Sequence, residues 1–204
     1  MNSEKTTLEY IELNEANVSD KTIREFDCGN DDMNEYLYYY AKDDSVYGRG
    51  VTYVLVADDR KRIYAYATLK THSLYYYEEA DKHYTKPMTE DGKVLMAMPA
   101  AEIKMFAISK QLIRRIAYPF DPSGERHYST IFFKWFLEKI YYMSMTVIGF
   151  NMVFLRANNE GYGLYKKFGF VECEDYMDTY DEKAEGCTSM AIAISDLEYG
   201  IFAD

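Results

Sequence analysis

Tyr165 is the side chain best suited by type and setting to move a proton. It lies in the stretch Phe154-Leu-Arg-Ala-Asn-Asn-Glu-Gly-Tyr-Gly-Leu-Tyr-Lys-Lys-Phe-Gly-Phe170. A phenol has an ordinary pKa of about 10, so at neutral pH it keeps its proton and serves as a donor. The same ring on a short amphipathic helix also serves as packing with its hydroxyl in water, and the segment alone leaves both uses open. Glu102 offers a carboxylate at the head of an apolar run. It is either a proton acceptor working through water or an ordinary exposed strand-start acid. His72, His83 and His127 lie far apart with no metal-ligand spacing and read as surface residues. Cys28, Cys173 and Cys187 are unclustered, which argues against both a disulfide framework and a zinc site. No metal is expected.

The elements that position these groups can be read from pattern. Met152-Val-Phe-Leu155 is an apolar run suited to a central strand. Asn158 and Asn159 are turn and cap residues, Leu164, Tyr165 and Phe168 recur at helical spacing, and Gly169 sits where a helix ends with φ > 0. Upstream, Thr6–Leu13 reads as a first strand, Lys21–Phe26 as a short helix capped by Ser19-Asp20, and Met33–Lys42 as a second helix after the turn and cap Gly29-Asn30-Asp31-Asp32. Val51–Ala57 and Arg62–Leu69 form a hairpin around the polar loop 58–61, the second strand running on toward Tyr75–Tyr77. Residues 78–100 read as the least regular stretch, Glu102–Ser109 as a buried strand, 110–127 as a loop and Tyr128–Met145 as a buried helix. Thr188–Ile194 is a last strand, followed by a tail with room for one helical turn. The order β-α-α-β-β-β-α-β-α-β-β indicates one mixed α/β sheet with helices on its faces, in a single domain spanning 1–204.

Tyr165-Lys-Lys-Phe-Gly-Phe170, after an Asn-bearing strand end, resembles the Tyr-x-Lys/Arg-x-Gly-Phe ending of the GCN5-related N-acetyltransferases (GNAT). The element order matches that family along nearly the whole chain. Phe26-Asp-Cys-Gly29, then Asn34 and Leu37, then Thr52–Ala57, resembles the subgroup containing GNAT toxins of bacterial toxin–antitoxin pairs. The resemblance implies acetyl-CoA as co-substrate, its arm entering between two splayed central strands, Lys104–Ile108 and Met152–Leu155. The backbone of Met105, Phe106, Ala107 and Ile108 would hold the pantetheine, and Asn158 would hydrogen-bond the cofactor. Tyr165 would be the general acid toward the leaving thiolate, and Glu102 the base. The family's pyrophosphate loop, Q/R-x-x-G-x-G/A, is not reproduced. Aligning Ser129 with the family's serine puts Arg126 and Tyr128 at the glycine positions, after an insertion, Gln111–Asp121, leaving only Gly124 nearby. The helix N-terminus remains an anion site in principle. Arg114, Arg115 and Arg126, with Lys110, could supply charge in place of missing amides, and His127 lies beside the same position.

Charge narrows the acceptor. The chain of 204 residues carries −11, yet residues 101–140 hold seven Lys/Arg against four acids. A positive island in a negative chain suits one anionic ligand better than an extended polyanion. The net negative charge elsewhere favours a cationic acceptor, so a small-molecule or peptide primary amine is the first expected acceptor. Aminoacyl-tRNA, implied by the toxin resemblance, comes second, and nucleic acid is otherwise not expected. A GNAT-shaped binding module without catalysis is the third reading. The polar start Met-Asn-Ser-Glu-Lys lacks an apolar signal core, and the apolar stretch 131–154 is interrupted by Lys134, Glu138 and Lys139. A cytoplasmic protein without membrane association is expected. Tyr199, Ile201 and Phe202 fit either a homodimer contact or a docked terminus.

Overall fold

A computed structural model describes residues 7–79, 90, 92–113, 127–174 and 186–202. Seven strands hydrogen-bond in the order β1-β2-β3-β4-β5-β7-β6. The chain divides into two compact units, 1–70 with 103–140 and 71–102 with 141–204.

In the first unit, β1 (Leu8–Glu12) pairs antiparallel with β2 (Val51–Ala57), and β2 pairs antiparallel with the start of β3 (Ile63–Glu79). Val54, Leu55 and Val56 are fully buried, because β-branched and long aliphatic side chains here cover both faces of an interior strand. The helices between β1 and β2 begin where their caps dictate. Ser19 Oγ accepts the Thr22 N–H at the head of α1 (Asp20–Arg24), and Asn30 Oδ1 accepts the Met33 N–H at the head of α2 (Asp31–Glu35). The chain continues through a π-helical turn, Tyr36–Tyr40, into α3 (Ala41–Val46), longer than the expected 33–42 helix.

The Phe26–Gly29 motif is a knot of local bonds. Phe26 packs edge-on against the buried Tyr66, 5.4 Å between ring centroids. Asn34 Oδ1 accepts the Cys28 N–H at 3.0 Å, and Asp27 Oδ1 accepts the Gly29 N–H at 2.7 Å. The Asp27 carbonyl then accepts the Lys110 N–H at 2.8 Å, tying the motif to the residue just past β4.

The two strands β3 and β4 (Lys93–Ile108) are longer than pattern suggested. The expected irregular stretch 78–100 is corrected at its far end, since 93–100 are strand. The reason is alternation: Val94, Met96 and Met98 turn inward while Leu95, Ala97 and Pro99 face out. Pro99 and the surrounding polarity hid that period.

In the second unit, β5 (Met152–Ala157) and β6 (Val171–Glu172) both pair antiparallel with β7 (Thr188–Ala193). Leu74, Ala100, Phe154, Cys173 and Ala191 form its core. Asn151 staples the strand starts, its N–H donating to Pro99 O and its carbonyl accepting from Ile194 N–H, both at 2.9 Å. The tail forms a full helix, α6 (Ile194–Phe202), rather than one turn. Leu197 and Ile201 on it are fully buried. Among the described residues no helix is long and apolar enough to cross a membrane.

Candidate active site

Tyr165 stands on α5 (Tyr162–Lys167), which follows β5 across a short turn. Asn158 builds that turn: its Oδ1 accepts the Gly161 N–H at 2.8 Å and its carbonyl accepts the Tyr162 N–H at 3.0 Å. The Asn158 carbonyl oxygen of the side chain is thus engaged in holding the helix start. Gly169 closes the helix at φ +87°, as its position in the sequence requires. Tyr165 itself is 9% exposed, more enclosed than a phenol waiting at an open cleft. Burial, and secondarily the nearby Cys187, pushes its pKa well above the ordinary value. The phenol therefore holds its proton throughout the neutral and mildly alkaline range. It can act as a donor and not as a base.

Glu102 is not an exposed residue at a strand start. It lies inside β4 and is 3% exposed. Its Oε1 accepts a hydrogen bond from Arg156 Nη1 of β5 at 2.7 Å, and its Oε2 lies 3.3 Å from His72 Nδ1 of β3. A buried carboxylate needs such partners, since an uncompensated charge away from water is costly. His72 is likewise corrected from a surface residue: its side chain is 9% exposed, and its ring stacks on Phe154 at 4.4 Å and 12°. The Arg156 guanidinium also sits over Phe154, 5.1 Å from the ring centre. His72, with Thr71, Ser73 and Tyr75, lines a cavity of about 230 Å³.

Sequence reasoning missed His72 and Arg156. A signal existed for Arg156, a lone charge within an otherwise apolar strand. Such a charge calls for a partner but does not name it, and Glu102 is 54 positions away.

In the first unit, α4 (Tyr128–Thr146) begins with the expected Tyr128 and Ser129, both half-buried. Among the described residues, Nδ1 of His127 is buried and lacks a hydrogen-bond partner. The head of the nineteen-residue α4 carries the unpaired N–H groups and the positive dipole end common to helix starts. Met105, Phe106, Ala107 and Ile108 are anchored by their side chains. Met105 and Ala107 join one apolar cluster, Ile108 another, and Phe106 meets Phe133 at 4.9 Å. Arg114, Arg115, Arg126 and His83 lie outside the described residues. Among the described residues no group of three or more His, Cys, Asp or Glu could hold a metal ion.

No protein-family model matches the chain, and no curated protein matches it by sequence. Solved structures do match in shape. A bacterial toxin superposes with TM-score 0.65 at 15% identity, covering 94% of this chain and 93% of that one. AtaT complexed with acetyl-methionyl-tRNAfMet gives 0.63 at 17%, covering 94% and 98%. A Tyr-to-Phe mutant of the AtaT toxin bound to the C-terminus of the antitoxin AtaR and acetyl-CoA gives 0.60 at 16%, covering 96% and 97%. The fold is the mixed α/β fold of GNAT proteins, and the chain is similar to GNAT toxins.

Proposed function

We propose that this protein is an acetyl-CoA-dependent N-acetyltransferase acting on a primary amine. The observation that carries the reading is Tyr165, a buried, protonated phenol held by the Asn158 turn, in a fold shared with a toxin structure that contains acetyl-CoA. The thioester arm would lie along the backbone of Met105–Ile108, and the pyrophosphate at the head of α4 by His127, Tyr128 and Ser129. Arg114, Arg115 and Arg126 would add positive charge there. The amine attacks in its neutral form, and the phenol supplies a proton to the departing sulfur, a role worth about 10²–10⁴-fold.

A second reading makes aminoacyl-tRNA the acceptor, with the protein acting as a toxin. The likeness to AtaT complexed with acetyl-methionyl-tRNAfMet supports it. The net charge of −11 supports a cationic small-molecule or peptide amine instead. A protein partner of the antitoxin kind belongs with the toxin reading. Calorimetry with acetyl-CoA, followed by thiol release with a polyamine, a lysine-bearing peptide and methionyl-tRNA, tests the proposal. Binding with release for one acceptor is expected. Absence of binding would leave a GNAT-shaped module without catalysis.

A further inference from the structure

We infer that the exposed side of the helical segment running from α2 to α3 is a docking surface for a partner polypeptide, which presents a helix bearing Lys and Arg. The inference goes beyond the acetyl-transfer reading and does not depend on it.

The surface is built by periodicity. Asp31, Glu35, Tyr39, Asp43 and Tyr47 follow one another at four-residue spacing, and all five are exposed. Met33, Leu37 and Ala41, at the same spacing two residues on, belong to the apolar cluster of the first unit. An α-helix turns once in 3.6 residues, so a four-residue stripe drifts around it by about 40° per step. The π-helical turn Tyr36–Tyr40 is wound more widely and takes back part of that drift. The stripe therefore stays on the side away from the core. Turns of this kind also occur frequently at functional sites.

Its composition is that of a contact surface. Tyr39, Tyr40, Val46 and Tyr47 are between 56% and 74% exposed. Solubility needs none of these large groups, whereas Tyr is enriched where proteins meet. Two of the rings already hold guanidinium groups of this chain: Arg24 lies over Tyr39 at 5.9 Å and Arg49 over Tyr47 at 5.0 Å. Their exposure leaves ring surface for a further cation.

Charge decides the occupant. Residues 20–49 hold eight acids against four Lys/Arg. All four cations are engaged within the chain: Lys21 pairs with Glu25, Lys42 with Asp20 and Arg49 with Asp44, while Arg24 lies over Tyr39. Asp27 takes Lys110. Among the described residues, Asp31, Asp32, Glu35 and Asp43 make no ion pair. Asp31 and Asp32 suit the first turn of α2 through its dipole. Glu35 and Asp43 lie within the continuous helical segment, where that benefit has faded. Acids interleaved with open tyrosine rings repel a phosphate backbone and attract Lys and Arg side chains. Side chains four residues apart on a helix are about 5–6 Å from one another. A partner helix with Lys or Arg at that spacing meets Glu35, Tyr39, Asp43 and Tyr47 in register. A second copy of this chain carries the same surplus of acids here and is repelled, while the net charge of −11 draws a cationic partner in.

The test is calorimetry of the full chain, without acetyl-CoA, against a synthetic helical peptide of about 15 residues carrying Lys and Arg at four-residue spacing. The same peptide with Glu in their place and a single-stranded RNA oligonucleotide are titrated alongside. Binding of the basic peptide alone is expected, weakening about tenfold between about 50 and 300 mM salt. Y47S should weaken it by about fivefold or more, as loss of an interface anchor does. The double variant E35K/D43K should abolish it and admit the Glu peptide instead. D58K, in the exposed loop 58–61, should change binding by less than about twofold, because distant exposed charges are screened. Equal binding of both peptides, preference for the RNA, or the same loss in D58K as in E35K/D43K overturns the inference. Should the double variant not fold, full-strength binding in Y47S overturns it. Acetyl transfer plays no part in the readout, so failure here leaves that reading standing, and a chain that does not bind acetyl-CoA leaves this one standing.

Discussion

A β-carbon added at Gly161 would lie 2.7 Å from Cε2 of Tyr165 and 3.1 Å from its hydroxyl oxygen. The glycine is the surface on which the phenol rests. Its φ of −85° is open to any residue, so the constraint is space and not backbone conformation. G161A should therefore displace the ring while leaving the helix start intact. Turnover should fall about 10²-fold, the usual effect of misplacing a reacting group by about 1 Å. Thermal stability should fall by about 1–3 kcal/mol from overpacking. Unchanged turnover would show that the ring's position does not matter.

Tyr165→Phe should lower turnover by about 10²–10⁴ with acetyl-CoA affinity nearly unchanged by calorimetry. Because burial holds the phenol pKa above its ordinary value, the wild-type rate should show no alkaline decline from Tyr165 below pH ~10. A decline near pH 8 that Tyr165→Phe removes would contradict this.

Asp44 is 5% exposed and binds Tyr36 Oη at 2.9 Å, Lys104 Nζ at 2.7 Å and Arg49 Nε at 2.9 Å. Burial raises its pKa and the bond from Lys104, with the others, more than offsets that, so the carboxyl lies below its ordinary value. Asp44→Asn should destabilise the fold by about 1.5–3 kcal/mol, measured by urea denaturation at pH 7. The sign follows from linkage: the native state binds its proton less readily than the unfolded state. The contribution is present above the ordinary aspartate pKa and lost as pH falls through the lower native value. The difference between wild type and variant should shrink below pH 4.

Alkaline pH should destabilise the protein through its buried phenols. Burial raises Tyr10, Tyr66 and Tyr165, and pushes Tyr36 up to about 12. Unfolded phenols ionise near pH 10, so above that pH the unfolded state binds fewer protons than the native one and stability falls. Denaturation midpoints should hold to pH ~9.5 and drop steadily toward pH 12. Tyr66→Phe should flatten the drop while losing the 2.7 Å bond to the Met33 carbonyl. A flat profile to pH 12 would show that the phenols are solvated.

Local chemistry made much of the architecture legible. Ser19, Asn30 and Gly169 mark helix ends because caps and positive φ act within a few residues, and each lies within the cap or turn segment that pattern placed there. The run Val51–Ala57 forms its strand for the same short-range reason. Long-range partners were not legible. Nothing near Glu102 in sequence announces Arg156 or His72, because their meeting depends on which strands become neighbours.

The chain alone determined the order of its elements, the caps that bound them and the helix that carries Tyr165, since propensity, periodicity and turn chemistry are local properties. Tertiary structure alone decided that Glu102 is enclosed, that His72 faces it beside a cavity, and that Gly161 makes room for the phenol. Burial and charge pairing arise from strands brought together across tens of residues, and no local pattern encodes that proximity.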